Sequence, residues 1–264
     1  RGYDDADPSS NTAIYSGDYL AGAQGAFAVM AALWHREKTG EGQLIEIAQA
    51  ENAAAMFTQA IMDYSLNGNI QGAIGNRDVF GRYPCGVYPA KSPGAAATMD
   101  DHWIAIHIET DEQWRAFGRA IGSPEWAVDP RFATNDGRAE HYKEIDAHIA
   151  EYTRDKDDYA LMHLLQGAGV PAAPVLEASR VFDDPQLRDR DFFRRMTFEG
   201  ADEGYEFMGP MWQFPATPIE FTPPVTFGRD TEYVYKQVLG ISDDDYARYE
   251  AMGFIATEYD PSVP

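Results

Sequence analysis

Cysteine, basic residues and long apolar runs are all scarce in this 264-residue chain. Its single cysteine, Cys85, cannot form an internal disulfide, and we expect a cytoplasmic protein. Lys and Arg number 21 against 43 Asp and Glu, which gives a formal net charge of −22. This balance excludes a general nucleic-acid binder and disfavours adsorption to anionic membranes, because both need clustered cations. Charged residues interrupt every apolar stretch, so the sequence predicts no membrane-spanning helix.

The composition is nevertheless that of a folded protein. Hydrophobic residues make up 44% and aromatic residues 13% of the chain, whose length suffices for one large domain or two modest ones. Residues 1–17 are polar and rich in turn formers, with neither an initiator methionine nor a signal segment. We expect them to enter a domain from elsewhere, as in a truncated or processed chain. No pattern of His, Cys, Asp and Glu has the spacing of a metal site.

The opening third predicts an α/β arrangement. Residues 18–34 carry Ala or Gly at eight of 17 positions, between large apolar side chains, which indicates a helix that other backbones approach closely and bury. Gly40 is placed to end this helix as a left-handed cap. Residues 44–47 have strand composition, and residues 51–66 repeat apolar side chains with helical period. A helix, a strand and a helix in this order favour an α/β domain over a bundle.

Short elements follow in the rest of the chain. Strands are predicted at 86–88 and 102–108, and near a sheet edge at 170–176. Helices are predicted after a Thr110–Gln113 capping box, after Asn135 and near Tyr159. The last third predicts a strand pair at 196–199 and 207–211, an extended proline-containing path, and helices at 230–239 and 242–252. The last of these helices is predicted to start at Ser242, which with Asp245 forms a weaker variant of the capping box. This order indicates part of one domain, a compact α/β insert, and a return to the first domain.

Six short motifs, spread along the chain, carry a family resemblance. They are TGEGQ at 39–43, GNR at 75–77, YPCGVYP at 83–89, GVPAAPV at 169–175, DPQL at 184–187 with FF at 192–193, and VLGIS at 238–242. In this order they resemble the family III CoA-transferases, which include formyl-CoA transferase, the carnitine and bile-acid CoA-transferases and α-methylacyl-CoA racemase. Each motif alone is weak evidence for the family. Together they occur in the family's order, and the resemblance extends over nearly the whole chain.

The resemblance implies an α/β fold with a Rossmann-like large domain, a small α/β domain, and subunits paired as interlocked rings. It assigns residues 1–75 to the large domain and its connecting helices, and 76–176 to the small domain. Residues 177–264 become the return segment and C-terminal helices of the large domain. The implied partner is a second copy, or a related subunit in a heterodimer. On this basis the chain corresponds to the C-terminal two-thirds of such a protein at most.

The activity implied by the resemblance is CoA transfer between an acyl-CoA and a free carboxylic acid through an aspartyl intermediate. CoA and acyl-CoA enter as substrates, and no permanently bound cofactor is expected. The attacking Asp is expected upstream of this chain, so no catalytic residue is assigned here. Two alternatives stay open. One is racemisation at the carbon next to the thioester, and the other is a non-catalytic subunit or fragment.

The loop at 72–86 is the candidate binding segment. Gly75 and Gly81 permit close approach of the backbone to a ligand, and Arg77 and Arg82 suit CoA phosphates or a substrate carboxylate. The alternative is an interdomain linker whose arginines pair with nearby acids. The glycines are spaced here, whereas formyl-CoA transferase has consecutive glycines in its active-site loop.

The remaining candidates are interpreted structurally. Asp18 matches an Asp at the start of the family's helix, and we interpret it as a helix N-cap. His102 and His107 bracket a strand on opposite faces by parity, so they are not expected to act together. The other four histidines lie in predicted helices, where solvated or capping positions are expected.

Overall fold

The computed structural model describes residues 16–93, 101–198, 201–223, 225–257 and 259. These residues form a mixed α/β structure in two units, Arg1–Val175 and Leu176–Pro264. The predicted domain boundaries at 75 and 176 stay predictions, and residues 1–15 of the predicted entry segment lie outside the described part. Within that part, no helix combines the length and the apolar character needed to cross a membrane.

Three helices open the first unit. They are α1 (Ser16–Thr39), α2 (Gln49–Met56) and α3 (Thr58–Asn67). The predicted first helix and its cap are confirmed, since Gly40 has φ +80° and its N–H donates to the Arg36 carbonyl over 2.8 Å. The chain then turns back, and α2 packs against α1.

The second predicted helix, at 51–66, is divided into α2 and α3. The helical backbone is interrupted at Phe57, where φ is −99° and ψ is 14°. Beside the break, the Thr58 hydroxyl donates to the Ala55 carbonyl over 2.6 Å. Such a side-chain bond competes with the backbone ladder, and this explains why one apolar repeat produces two helices.

Two expectations for this region were wrong. The α1 helix is not deeply buried, because Phe27 is 73% exposed and Trp34 is 63% exposed. Residues 44–47 belong to no strand of the described part, and Leu44 is 91% exposed. Burial and strand pairing both need a second surface, and the described residues leave most of the area of these side chains uncovered. Local composition therefore indicated apolar faces but not what covers them.

A three-stranded antiparallel sheet lies in the middle of the chain. Its strands are β1 (Cys85–Pro89), β2 (Trp103–His107) and β3 (Ala172–Val175), in the spatial order β1-β2-β3. Val87 lies opposite Ala105, which in turn lies opposite Ala173. All three predicted strands are confirmed, and β3 is at an edge, where its Pro174 is tolerated.

Four further helices belong to the first unit. They are α4 (Asp111–Ala120), α5 (Asn135–Glu140), α6 (Tyr142–Thr153) and α7 (Asp158–Gly167). The capping box at the start of α4 is confirmed. The Thr110 hydroxyl accepts the Gln113 N–H over 3.2 Å, and the Gln113 side-chain oxygen accepts the Thr110 N–H over 3.3 Å. The helix predicted to run from Asn135 is interrupted at His141, so it forms α5 and α6 instead.

The core of the first unit lies between the sheet and these helices. Its fully buried apolar side chains include Ile104, Ile106, Ile108, Trp114, Phe117, Phe132, Ile145, Ile149, Leu161, Leu165 and Val170. Trp114 stacks on Phe117 at 5.6 Å between ring centres and meets Phe132 edge-on at 6.3 Å. One cation, Arg138, is wholly buried beside these rings.

The second unit has shorter elements. They are α8 (Ala178–Val181), α9 (Pro185–Asp189), β4 (Phe193–Thr197), β5 (Gly204–Met208), a π-helical turn (Tyr233–Val238) and α10 (Asp243–Ala251). The predicted strand pair is confirmed, but it begins three residues earlier on each strand, and Arg195 lies opposite Glu206. Glu199 of the predicted first strand lies outside the described residues. The Ser242 N-cap of α10 is confirmed by its bond to the Asp245 N–H.

Two glycines at the end of α7 should respond to alanine in opposite directions. Gly169 has φ +80°, whereas Gly167 lies within the helix, and an added Cβ meets nothing within 4 Å at either position. Gly169→Ala should destabilise the protein by about 1–2 kcal/mol because the left-handed backbone strains an L side chain. Gly167→Ala should stabilise it by about 0.4–1 kcal/mol. Urea unfolding of both variants measures the two signs, and equal signs would contradict the assigned backbone.

Candidate functional site

Two cavities lie on either side of the loop that follows α3. The α6 cavity, of about 510 Å³, is lined by this loop, strand β1 and helix α6. The α3 cavity, of about 580 Å³, is lined by the same loop and by side chains of α2 and α3. Both are lined by Ile74, Gly75, Asn76, Arg77 and Cys85. Residues 74–77 therefore form a wall shared by the two cavities.

The shape of this loop follows from local contacts. Gly75 is buried and has φ +62°, a backbone conformation that a side chain would strain. Beyond the shared wall, one Asp78 carboxylate oxygen accepts the N–H groups of Phe80 and Arg82, each over 3.1 Å. The Gly81 N–H donates to the Asp78 carbonyl over 3.2 Å. Residues 78–82 thus form a tight turn closed on Asp78.

Arg77 presents its charge to the α6 cavity. Its Nε donates to the Ile74 carbonyl over 2.9 Å, and its guanidinium carbon lies 5.0 Å from the centre of the Tyr142 ring. Its Nη atoms form no hydrogen bond to another described residue. The Nε bond therefore orients the guanidinium and leaves its Nη atoms available to a ligand. Such an arrangement suits a carboxylate or a phosphate.

A tyrosine–carboxylate pair lies deeper in the same cavity. The Tyr88 hydroxyl, on β1, donates to an Asp146 carboxylate oxygen on α6 over 2.7 Å. Burial raises the pKa of Tyr88 well above its usual value, and the nearby Asp146 charge raises it further. Burial also raises the pKa of Asp146, against the opposing effects of the Tyr88 hydrogen bond and the Arg77 charge. Tyr88 is thus a hydrogen-bond donor at neutral pH.

Gly86 makes room for this pair. A Cβ on Gly86 would lie 2.8 Å from the Tyr88 hydroxyl oxygen, closer than real Cβ atoms approach. The Tyr88 ring therefore lies back over its own strand and reaches α6 because residue 86 has no side chain. This is the structural reason for a glycine within β1.

The four predicted site residues separate into two pairs. Gly75 and Arg77 line both cavities, whereas Gly81 and Arg82 line neither of them. Arg82 forms an exposed ion pair with Glu109 over 3.4 Å, which matches the linker alternative for this one arginine. A ligand-binding role for these four residues stays a prediction.

Other cavity-lining residues were not found from the sequence. Tyr142 and Asp146 are four positions apart on α6 and so share a face, which brings both to the α6 cavity. The sequence signal was an acid within an otherwise apolar helical face, but its partner Tyr88 is 58 residues away. Lys143 adds an exposed cation to the same cavity.

The structurally interpreted candidates have mixed outcomes. Asp18 is not an N-cap, since α1 already begins at Ser16, and its carboxylate accepts the Gln49 side-chain amide over 2.7 Å. His102 and His107 have different neighbours, as their Nδ1 atoms lie 3.9 Å from Asp158 and from Glu109, respectively. The two histidines form no common site.

Comparison with known proteins decides the family. The model of CoA-transferase family III matches residues 2–231. The chain belongs to this family. A succinyl-CoA–D-citramalate CoA-transferase of Chloroflexus aurantiacus is 29% identical over 250 residues, which cover 92% of this family III chain and 58% of that protein. A formyl-CoA:oxalate CoA-transferase of Shigella boydii is 28% identical over 257 residues, covering 91% and 60%.

Solved structures agree with this family III assignment at the level of the fold. The crystal structure of a CaiB/BaiF family protein from Brucella suis has a TM-score of 0.73 at 23% identity, covering 90% of this chain and 59% of that one. The family III chain therefore spans about three-fifths of the lengths of these relatives, at 58%, 60% and 59%.

Proposed function

We propose that the protein containing this chain transfers CoA between an acyl-CoA and a free carboxylic acid. The family match over residues 2–231 carries the proposal. The relatives named for transfer from succinyl-CoA and from formyl-CoA support it, since they match more than 90% of this chain. CoA and acyl-CoA are the proposed substrates, with no permanently bound cofactor.

The proposed chemistry uses an Asp carboxylate from the part of the protein outside this chain. The carboxylate attacks the donor thioester and the C–S bond breaks. The products are a mixed anhydride between the donor acyl group and the Asp, and CoA as a free thiolate. The thiolate then attacks the aspartyl carbonyl, which releases the donor acid and leaves an aspartyl-CoA thioester. The acceptor acid displaces CoA by the same two steps in reverse, and the Asp carboxylate is regenerated.

The proposed role of this chain is to bind the anionic parts of the substrates beside its loop. Arg77 supports this role because its oriented guanidinium lies at the shared wall of both cavities, with Gly75 next to it. Arg82 and Gly81 are proposed to contact ligand from the turn side of the loop. An acyl-CoA carries phosphates, and the acceptor carries a carboxylate, so either provides the anion that such a guanidinium binds.

We also propose the finer architecture implied by the resemblance. It comprises a Rossmann-like large domain and subunits paired as interlocked rings, as a homodimer or with a related subunit. The exposed Phe27, Met30 and Trp34 of α1 support this, since apolar patches of this kind mark surfaces that another polypeptide covers. A cytoplasmic location is proposed as well, on the evidence of the single cysteine.

Direct assay of the full-length protein tests the activity. Succinyl-CoA with D-citramalate and formyl-CoA with oxalate are the first donor and acceptor pairs, and formation of the acceptor's CoA ester is expected for a transferase. Uptake of deuterium next to the thioester without an acceptor acid would instead indicate the racemase alternative. A full-length protein inert with every acyl-CoA would leave a non-catalytic subunit.

Arg77→Ala should weaken binding of acyl-CoA without slowing the chemical steps. Loss of a charge-assisted contact made equally in ground and transition states should raise KM about tenfold and leave kcat within about twofold. Steady-state kinetics of the full-length enzyme measure both constants. Arg115→Ala is the control, because Arg115 is exposed and pairs with Glu112 on α4. Unchanged KM values for both the acyl-CoA and the acceptor acid in Arg77→Ala would exclude this role for Arg77.

A further inference from the structure

We infer that Asn135 is a positioning residue that holds the binding loop in place from helix α5. Its side-chain amide forms hydrogen bonds with the two residues that flank Arg82. Nδ2 donates to the Gly81 carbonyl over 2.9 Å, and Oδ1 accepts the Tyr83 N–H over 3.0 Å. Both hydrogen-bonding ends of one side chain are therefore used on backbone more than 50 positions earlier in the chain.

A second residue of α5, one helical turn later, bonds to the same part of the loop. Arg138, wholly buried, donates its Nε to the Tyr83 carbonyl over 2.7 Å. The Tyr83 peptide groups are thus held at the N–H by Asn135 and at the carbonyl by Arg138. Because residues 135 and 138 are three apart on α5, a single helix face supplies both contacts.

The turn at 78–82 connects the residues that Asn135 holds to the cavity wall at 74–77. Asp78 is bonded to the N–H groups of Phe80, Gly81 and Arg82, so the turn moves as one piece. Arg77 precedes Asp78 directly, and its guanidinium lies over Tyr142 of α6. Since Asn135 of α5 holds the end of the turn and Tyr142 of α6 contacts Arg77 just before its start, loss of the Asn135 contacts should displace the Arg77 guanidinium from the α6 cavity.

The inference rests on the proposed function, because it concerns how substrate is held. Asn135→Ala removes both loop contacts and keeps a good helix former in α5. Thr134→Ala is the matched control, since Thr134 is the N-cap of α5 and accepts the Gly137 N–H but does not contact the loop through its side chain. Asn135→Asp is a milder variant that keeps the acceptor for Tyr83 and loses the donor to Gly81.

Two measurements on the full-length protein test the inference. In Asn135→Ala, amide hydrogen exchange in a peptide spanning 79–84 should be at least about tenfold faster, because the Tyr83 N–H loses its acceptor. KM for acyl-CoA should rise about tenfold with kcat within about threefold. A merely structural defect would lower the active fraction, which reduces apparent kcat and leaves KM unchanged. Thr134→Ala should alter neither the loop exchange nor KM.

Several results would overturn the inference. They are unchanged loop exchange in Asn135→Ala, faster exchange with an unchanged KM, or the same KM rise in Thr134→Ala. If Asn135→Ala does not fold, Asn135→Asp decides, with a KM rise of about threefold expected and an unchanged KM contradicting the inference. A wild-type protein without CoA transfer refutes the proposed function instead, and the exchange measurement still shows whether Asn135 holds the loop.

Discussion

Arg138→Ala is expected to lower the free energy of unfolding by about 3–4 kcal/mol, because removing this buried cation leaves its hydrogen-bond acceptors without donors. The guanidinium donates to the Tyr83 and Phe132 carbonyls over 2.7 and 3.1 Å, and to the Asp111 carboxylate over 2.9 Å. Burial lowers the pKa of Arg138 and the Asp111 hydrogen bond opposes this, so the group stays charged. Its removal also leaves a void beside Trp114.

Arg131→Ala is the matched control for Arg138→Ala. Arg131 binds Asp129 and Glu144, each at 2.8 Å, but on the surface, with its side chain 49% exposed. Water replaces those contacts when the side chain is removed, so a much smaller loss of stability is expected. Urea unfolding followed by tryptophan fluorescence measures both losses, since four of the five tryptophans lie in the first unit and Trp114 is buried beside Arg138. Equal losses in the two variants would mean that burial of Arg138 has no energetic consequence.

Leu165→Ala is expected to lower the free energy of unfolding by about 3–5 kcal/mol, because it opens a cavity in a packed core. Leu165 is 0% exposed and lies in the cluster formed by the sheet and its covering helices. Surrounding side chains such as Ile104 and Ile106 belong to strands held by ladder hydrogen bonds, so they have little freedom to collapse into the space.

Leu164→Ala supplies an internal comparison on the same helix. Leu164 is 43% exposed, and the substitution removes the same atoms one position earlier in α7. A loss below about 1 kcal/mol is expected, because little apolar area returns to water. Thermal and urea unfolding of the two variants give the difference. A larger loss in Leu164→Ala than in Leu165→Ala would place the wrong face of α7 against the core.

Predictions from the sequence were most accurate where the interacting residues are close together in the chain. The Thr110–Gln113 capping box, the Gly40 cap and the Ser242 N-cap each depend on contacts across three or four positions. Backbone geometry then fixes which groups meet. Predicted boundaries were wrong at Phe57 and His141, where a helix is interrupted although its apolar repeat continues.

The binding role of the loop at 72–86 stays a prediction. Of its four predicted residues, Gly75 and Arg77 line both cavities, whereas Gly81 and Arg82 line neither. The sequence did not indicate that Arg82 turns toward Glu109 instead, since both arginines have the same flanking chemistry. Nor did it indicate the hydrogen-bonded pair of Tyr88 and Asp146.

By itself, the sequence determined the family, the mixed α/β class, the strands of the central sheet and several helix caps. These depend on motif order, side-chain period and contacts between close neighbours in the chain. Tertiary structure alone decided that Arg138 is buried, that α1 is exposed, and that the Asn135 side chain bonds to the backbone of Gly81 and Tyr83. Asn135 lies 54 positions from Gly81, and Asp146 lies 58 positions from Tyr88. No local pattern encodes such contacts, since they form only when distant segments pack around one core.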